Sequence, residues 1–216
     1  MMADVQQVRI MLVDDHAVVR SGIRRLLEQH PGFNVIAEAE SGESAYQQFS
    51  EHLPDVSVMD LTMPGMGGME AIRRIIARHP TARILVLSMH EKAAFASQAL
   101  KAGAKGYLSK SSLAQELVNA LETIVKGQTY ISSDVAKKIA LQSLEGDGDP
   151  MQLLSAREFE IFRLLAEGED IDGIAHTLKI SSKTVANYQT MIKQKLGINT
   201  PVELVRMAIR FGLIDS

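Results

Sequence analysis

VRIMLVDD, residues 8–15, decides how the first half of this chain folds. Six residues, Val8–Val13, form a nearly continuous apolar run that stops abruptly at two aspartates. Such a run, too short for a buried helix, fits a strand covered on both faces. The unit then recurs. Asn34–Glu38, Asp55–Met59, Arg83–Leu87 and Lys105–Leu108 are further short runs, the third and fourth of the five again almost wholly apolar. Between and after them lie helical patterns at His16–Gln29, Glu43–Glu51, Gly68–Arg78, Lys92–Ala102 and Leu113–Lys126. Apolar residues there recur at three and four, as Val19, Ile23, Leu26 and Leu27 do, and then Ile72, Ile75 and Ile76. Five strand–helix repeats imply a five-stranded, doubly wound parallel sheet, flavodoxin-like, with helices on both faces. Ligands of such sheets sit outside the carboxyl ends of the strands.

Beyond residue 127 the alternation ends. Ser132–Leu144 is helical in pattern, and SLEGDGDP (143–150) has the acid, glycine and proline of a linker. Only helices follow: Ser155–Glu167, opened by the capping-box pattern Ser155-Ala-Arg-Glu158; Asp170–Leu178; Ser182–Leu196; and one from Pro201 to Phe211. The expected division is 7–127 for the α/β domain, 128–150 for a linker with a helix, and 151–216 for a small all-α domain.

The whole chain has 216 residues, enough for one to two domains at about 150 residues each. It has no cysteine, which excludes disulfides, zinc–thiolate sites, iron–sulfur clusters and cysteine nucleophiles. The net charge of −3 excludes a bulk polycation, so any affinity for nucleic acid must be local. No signal-like or membrane-spanning stretch is present, and a soluble, cytoplasmic protein with no membrane contact is expected.

Five chemical groups converge on one sheet edge. Asp14 and Asp15 follow the first strand, Asp60 the third and Ser88 the fourth, and Lys110 sits just past the fifth. Three carboxylates there make a hard oxygen site suited to Mg²⁺. A lysine and a hydroxyl suit the other oxygens of a phosphoryl group, and a carboxylate is itself a nucleophile able to form an acyl phosphate. Taken singly, an acidic pair at a strand end is also an ordinary helix N-cap, and a lone lysine a solvated charge. The glycine-rich MPGMGGMEA (63–71) lacks the GxxxxGK followed by Ser or Thr of a phosphate-binding loop and reads as a turn before a helix. His16 begins the first helix. His90, two residues past Ser88, reads two ways: an ordinary loop side chain, or, with Thr62, a group that faces attacking water.

MLVDDH (11–16), VMDLTMPGMGG (58–68), VLSMH (86–90) and GYLSK (106–110) resemble the receiver domains of two-component response regulators in motif, order and spacing, over about residues 7–127. The resemblance implies that Asp60 is the phosphoacceptor. It makes Asp15 and Asp60 direct Mg²⁺ ligands with the backbone carbonyl of Thr62, and puts Asp14 close by. Lys110 would pair with the phosphoryl group. Ser88 and Tyr107 would be the hydroxyl and aromatic switch pair. The phosphoryl donor it implies is a sensor histidine kinase.

In the helical half, Ser182–Leu196 carries Lys183, Lys193 and Lys195 and no acid, although residues 151–216 hold eight basic and eight acidic side chains. Val185, Ile192 and Leu196 form its apolar stripe. Ala186, Asn187, Gln189 and Thr190 are left facing outward, as suits a helix in the major groove. The same helices would equally serve a bundle built for protein contacts. LSAREFEIFRLLAEG (154–168) and ISSKTVANYQTMIKQKLGI (180–198) resemble the LuxR-type helix-turn-helix of NarL/FixJ regulators. That implies base reading by Ala186, Asn187 and Thr190, with Lys183, Thr184, Lys193 and Lys195 near phosphates. Members commonly carry lysine in place of Ala186 and histidine in place of Tyr188. Tyr188 and GQTYISSDVA (127–136) are similar to the GacA/UvrY subgroup. The expected function is phosphorylation-controlled transcription regulation, with double-stranded DNA as target and a homodimer when phosphorylated. It is not expected to turn over an outside substrate. An aspartate-nucleophile phosphohydrolase is the rival enzyme class, but its nucleophile sits in a DxD pattern after the first strand, where this chain reads Asp14-Asp15-His16.

Overall fold

The computed structural model describes residues 7–144 and 150–214; most of the linker segment read at 143–150 lies outside the described residues. The first half runs β1 (Val8–Val13), α1 (Ala17–Glu28), β2 (Phe33–Ala39), α2 (Gly42–His52), β3 (Val56–Met59), α3 (Gly67–Arg78), β4 (Ile84–Ser88), α4 (Ala93–Lys101), β5 (Gly106–Ser109) and α5 (Leu113–Val125). All strand pairs are parallel, in the order β2-β1-β3-β4-β5. Residues of β1 alternate between two cores. Ile10 and Leu12 pack with Val58, Leu87 and Leu121 on the face covered by α1 and α5. Met11 and Val13 pack with Met59, Val86, Ile72 and Phe95 on the face covered by α2, α3 and α4. Alternation within an apolar run is what burial on both faces demands.

The sheet has six strands rather than the five expected. A sixth, β6 (Tyr130–Ile131), lies parallel to the outer side of β5, with Gly106 opposite Tyr130 and Tyr107 opposite Ile131. Two residues give no periodicity to read, and the strand forms because Tyr130 N and Ser132 N find the Lys105 and Tyr107 carbonyls. The sheet thus reaches past residue 127, and α6 (Ser133–Leu144) leaves directly from it.

The second half is α7 (Ala156–Ala166), α8 (Ile171–Leu178), α9 (Ser182–Leu196) and α10 (Pro201–Arg210). Ser155–Glu158 and Thr200–Glu203 both close reciprocal capping boxes, Asp170 caps α8 and Ser181 caps α9. Gly197, at φ 66°, ends α9 in the left-handed conformation glycine favours. Its core of Phe159, Phe162, Ile174, Val185 and Ile192 is continuous with the α2–α4 face of the sheet. The two halves are joined by polar contacts as well. Gly65 N donates to Thr177 O, Gln98 donates to Met151 O, and Lys101 donates to the Gln152 and Leu154 carbonyls.

Candidate functional site

The carboxyl ends of β1, β3 and β5 bring the acidic and basic groups together, and helix starts hold them there. Asp14 follows β1 and accepts from His16 N (2.8 Å), which fixes the turn into α1. Asp60 follows β3, and its Oδ1 accepts from Thr62 N (3.3 Å). Lys110 reaches back from the end of β5 and donates to Asp14 Oδ2 (2.8 Å) and Asp60 Oδ2 (2.6 Å). Asp14 and Asp60 are almost fully buried, 2% and 4% exposed. Burial raises the Asp60 pKa, helped by the Asp14 charge, while the Lys110 ammonium and Thr62 N–H pull it down. Burial works against the Lys110 charge, but its two carboxylate partners outweigh it and raise its pKa.

One carboxylate oxygen is left over. Asp15 Oδ1 is buried and accepts no hydrogen bond; the exposed His16 ring faces it instead at ion-pair distance, and a buried carboxylate oxygen without a donor is unfavourable. It belongs to a cluster in which oxygens of Asp14, Asp15 and Asp60 and a ring nitrogen of His16 lie within 4.8 Å of one another. Three carboxylates of this kind fit a hard divalent cation. His16 is the N-cap of α1, and its Nδ1 lies 2.9 Å from Asp15 Oδ1.

Ser88 is the last residue of β4 rather than the first beyond it, and is fully buried. Its Oγ accepts from His90 N (3.1 Å). Tyr107, in β5, is also fully buried, and its hydroxyl donates to the His90 carbonyl (2.5 Å). Burial pushes the phenol pKa well above its ordinary range. His90 Nε2 lies 3.2 Å from Thr62 Oγ1. Burial, with Arg163 nearby, lowers the His90 pKa.

A second constellation lies on α9. Lys183, Asn187 and Thr190 are exposed, Ala186, Thr184 and Lys193 partly so, and Val185 and Ile192 are buried beneath them. Thr190 spends its hydroxyl on Ala186 O (3.1 Å), and Thr184 Oγ1 meets Ser181 Oγ (2.8 Å). Lys195 is not free: it donates to Glu158 Oε2 of α7 (2.6 Å), a carboxylate only 1% exposed. Thr184 and Tyr188 face the other half of the chain across a groove of about 490 Å³ that Glu70, Arg73 and Arg74 of α3 also line. One edge of α9 is therefore turned toward α3 and away from open solvent. His90, Tyr188 and Glu158 carry contacts that no spacing rule assigns, because each depends on pairing between distant elements.

A parallel sheet with an acidic trio and a lysine at its carboxyl edge, joined to a helix-turn-helix, defines the response regulators with a LuxR-type output domain, and this chain belongs to that family. Residues 10–122 match the response regulator receiver domain, and residues 152–208 match the bacterial regulatory proteins of the luxR family. Among its relatives is the response regulator UvrY of Escherichia coli K12, 39% identical over 97% of each chain. The response regulator GacA of Pseudomonas viridiflava is 37% identical over 97% of this chain and 99% of that one. The fold is similar to that of RcsB from Salmonella enterica serovar Typhimurium bound to promoter rprA with the phosphomimetic BeF3−. That structure has a TM-score of 0.69 and 29% identity over 93% of this chain and 98% of the other. A LuxR-family response regulator from Aurantimonas sp. shares 50% identity over 64% of this chain and 99% of its own, with a TM-score of 0.63. The chain is thus a response regulator with a receiver and a LuxR-type DNA-binding domain.

Proposed function

We propose that Asp60 accepts a phosphoryl group from the phosphohistidine of a sensor kinase and that the modified protein binds DNA as a dimer to control transcription. The observation that carries this reading is the placement of Asp60: a buried carboxylate at a strand end, 2.6 Å from Lys110, facing the Asp14–Asp15 pair. One Asp60 oxygen attacks phosphorus, the P–O bond forms as the donor P–N bond breaks, and the electron pair leaves with the kinase imidazole. Mg²⁺, held by Asp15, Asp60 and the Thr62 carbonyl with Asp14 alongside, would neutralise charge on the phosphoryl oxygens. Lys110 exchanges its contact with Asp60 Oδ2 for a phosphoryl oxygen, and the chain promotes its own phosphorylation and dephosphorylation through these groups.

The added group carries about 1.5 to 2 negative charges. Ser88 then donates to it, and Tyr107 turns into the space released, reshaping the surface around α4 and β5. On DNA, Asn187 is suited to reading a base, Ala186 and Thr190 line the same face, and Lys183 and Lys193 are the candidates for phosphate contacts, which Thr184 and Lys195 would join only on leaving Ser181 and Glu158. Val202, Val205 and Ile209 lie exposed at helical spacing along α10, apolar surface that supports a dimer. Among the described residues no helix is long and apolar enough to cross a membrane, in keeping with a cytoplasmic site of action.

The test is incubation with acetyl phosphate and Mg²⁺. The chain should acquire a hydroxylamine-sensitive phosphoryl group, and Asp60→Asn should acquire none. Undiminished labelling of Asp60→Asn would overturn the assignment.

A further inference from the structure

His90 touches every part of the switch without belonging to it. Its N–H donates to Ser88 Oγ (3.1 Å), its carbonyl accepts from Tyr107 (2.5 Å), and its ring meets Thr62 Oγ1 (3.2 Å). The face of the same ring lies flat on Phe95 of α4, centroids 4.0 Å apart and planes at 4°. Phe95 in turn meets Phe159 of α7 edge to face, centroids 5.3 Å apart at 88°. The edge-to-face Phe95–Phe159 pair has a favoured aromatic geometry, and the His90–Phe95 pair is a close parallel stack. Phe95 and Phe159 are 3% and 2% exposed, so their contact is closed to water, while the His90 ring at the end of the stack is partly exposed. An unbroken column thus runs from the hydroxyls around Asp60 into the core of the DNA-binding domain. Both backbone groups of His90 are committed, so Ser88 and Tyr107 cannot rearrange without releasing it. Its ring cannot tilt without leaving Phe95.

We propose that His90 is the positioning residue that couples occupancy of the Asp60 site to the docking of α7, through Phe95 and Phe159. A phosphoryl group that draws Ser88 Oγ and Tyr107 away from His90 frees the segment, lets the ring lift from Phe95 and loosens the packing around Phe159. The coupling is reciprocal. Docking at Phe159 holds His90 where it keeps Ser88 from turning toward an incoming group and Tyr107 from following into the space released, so docking weakens the binding of any phosphoryl-like ligand. This inference rests on the reading of Asp60 as acceptor and of Ser88 and Tyr107 as the switch.

The experiment measures the equilibrium affinity of the full chain for beryllofluoride with Mg²⁺ by calorimetry. Phe159→Leu and Phe95→Leu keep apolar bulk but lose the ring contacts. Each should tighten beryllofluoride binding by about fivefold or more, the lower end of typical site–site coupling. In a His90→Ala background the same substitutions should add nothing, a non-additivity that a purely structural role would not produce. Should Phe159→Leu unfold the helical domain, docking is lost outright, and the tightening should be larger yet still vanish in the His90→Ala background. Unchanged affinity in both leucine variants, or equal effects with and without His90, would overturn the proposal. A wild-type chain that binds no beryllofluoride, or an Asp60→Asn variant that binds it as well, would instead overturn the acceptor reading and this inference with it.

Discussion

Docking of the DNA-binding domain on the receiver should weaken as pH rises toward neutrality, because of Glu160. This α7 carboxyl abuts the backbone of Gly67 at the start of α3, where even a Cβ would collide with it. Burial pushes its pKa up to about 7, and Glu70 of α3 adds to the rise, while Arg157 and Arg163 of α7 oppose it. Arg157 stands 2.7 Å away, but its guanidinium also serves the Gly65 and Leu178 carbonyls, so it is a shared counter-ion. Glu70 is itself bound to Arg73 and Arg74. Undocking exposes Glu160 and returns it toward its ordinary 4.5. The docked state therefore binds the proton more tightly. Its advantage is complete below about pH 4.5 and is lost as pH rises through about 7. At about 1.4 kcal/mol per pH unit the whole interval is worth roughly 3 kcal/mol, an upper figure because water enters as the interface loosens. Small-angle scattering from pH 5 to 8.5 measures the opening as an increase in radius of gyration. Glu160→Gln, which cannot ionise, should stay docked throughout. His90 titrates in the opposite sense, below its ordinary 6.5, so the difference between wild type and Glu160→Gln carries the result. Identical profiles for the two proteins would refute the reasoning.

Other outcomes follow from the same geometry. Asp15→Ala should leave the fold intact but weaken Mg²⁺ binding, measured by metal titration; an unchanged titration would remove Asp15 from the cation's ligands. A Cβ at position 68 would overlap the Asp60 carbonyl oxygen, so Gly68→Ala should cost about 1–3 kcal/mol in denaturant unfolding and slow phosphorylation. Lys195→Ala strips the buried Glu158 carboxylate of its cation and should cost about 1–3 kcal/mol of stability. Lys193→Ala should leave stability alone and lower the salt slope of DNA binding by about one unit. Asn187→Ala should cost about 1–3 kcal/mol and relax preference at one base pair, read by competition among operator variants; unchanged specificity would mean that Asn187 faces solvent in the complex.

The sequence carried the sheet and the acidic edge because both are written locally. An apolar run ending in Asp14-Asp15, or one ending before Asp60, reports its own strand and its own end. The boundary of β4 slipped by one because Ser88, though polar, is fully buried and completes the strand. Tyr130–Ile131 was invisible since its pairing depends on carbonyls of β5, not on its own pattern. The Ser155–Glu158 capping box was legible in the sequence, while the Asp170 and Thr200 caps emerge only in the structure. What joins the two halves was not: the His90–Phe95–Phe159 column and the Lys195–Glu158 pair link residues far apart in the chain, and no local period marks them.

The sixth strand has a practical consequence for solubility. In a five-stranded receiver β5 would present an open row of backbone donors and acceptors, the template on which chains add to one another. Here Tyr130–Ile131 caps that row, and the Tyr107 carbonyl is already taken by Ser132 N. A fragment cut at residue 127 should therefore self-associate through its bared rim, whereas one ending after α6 should stay monodisperse in gel filtration. Such edge-to-edge growth would also sequester the strand that carries Tyr107.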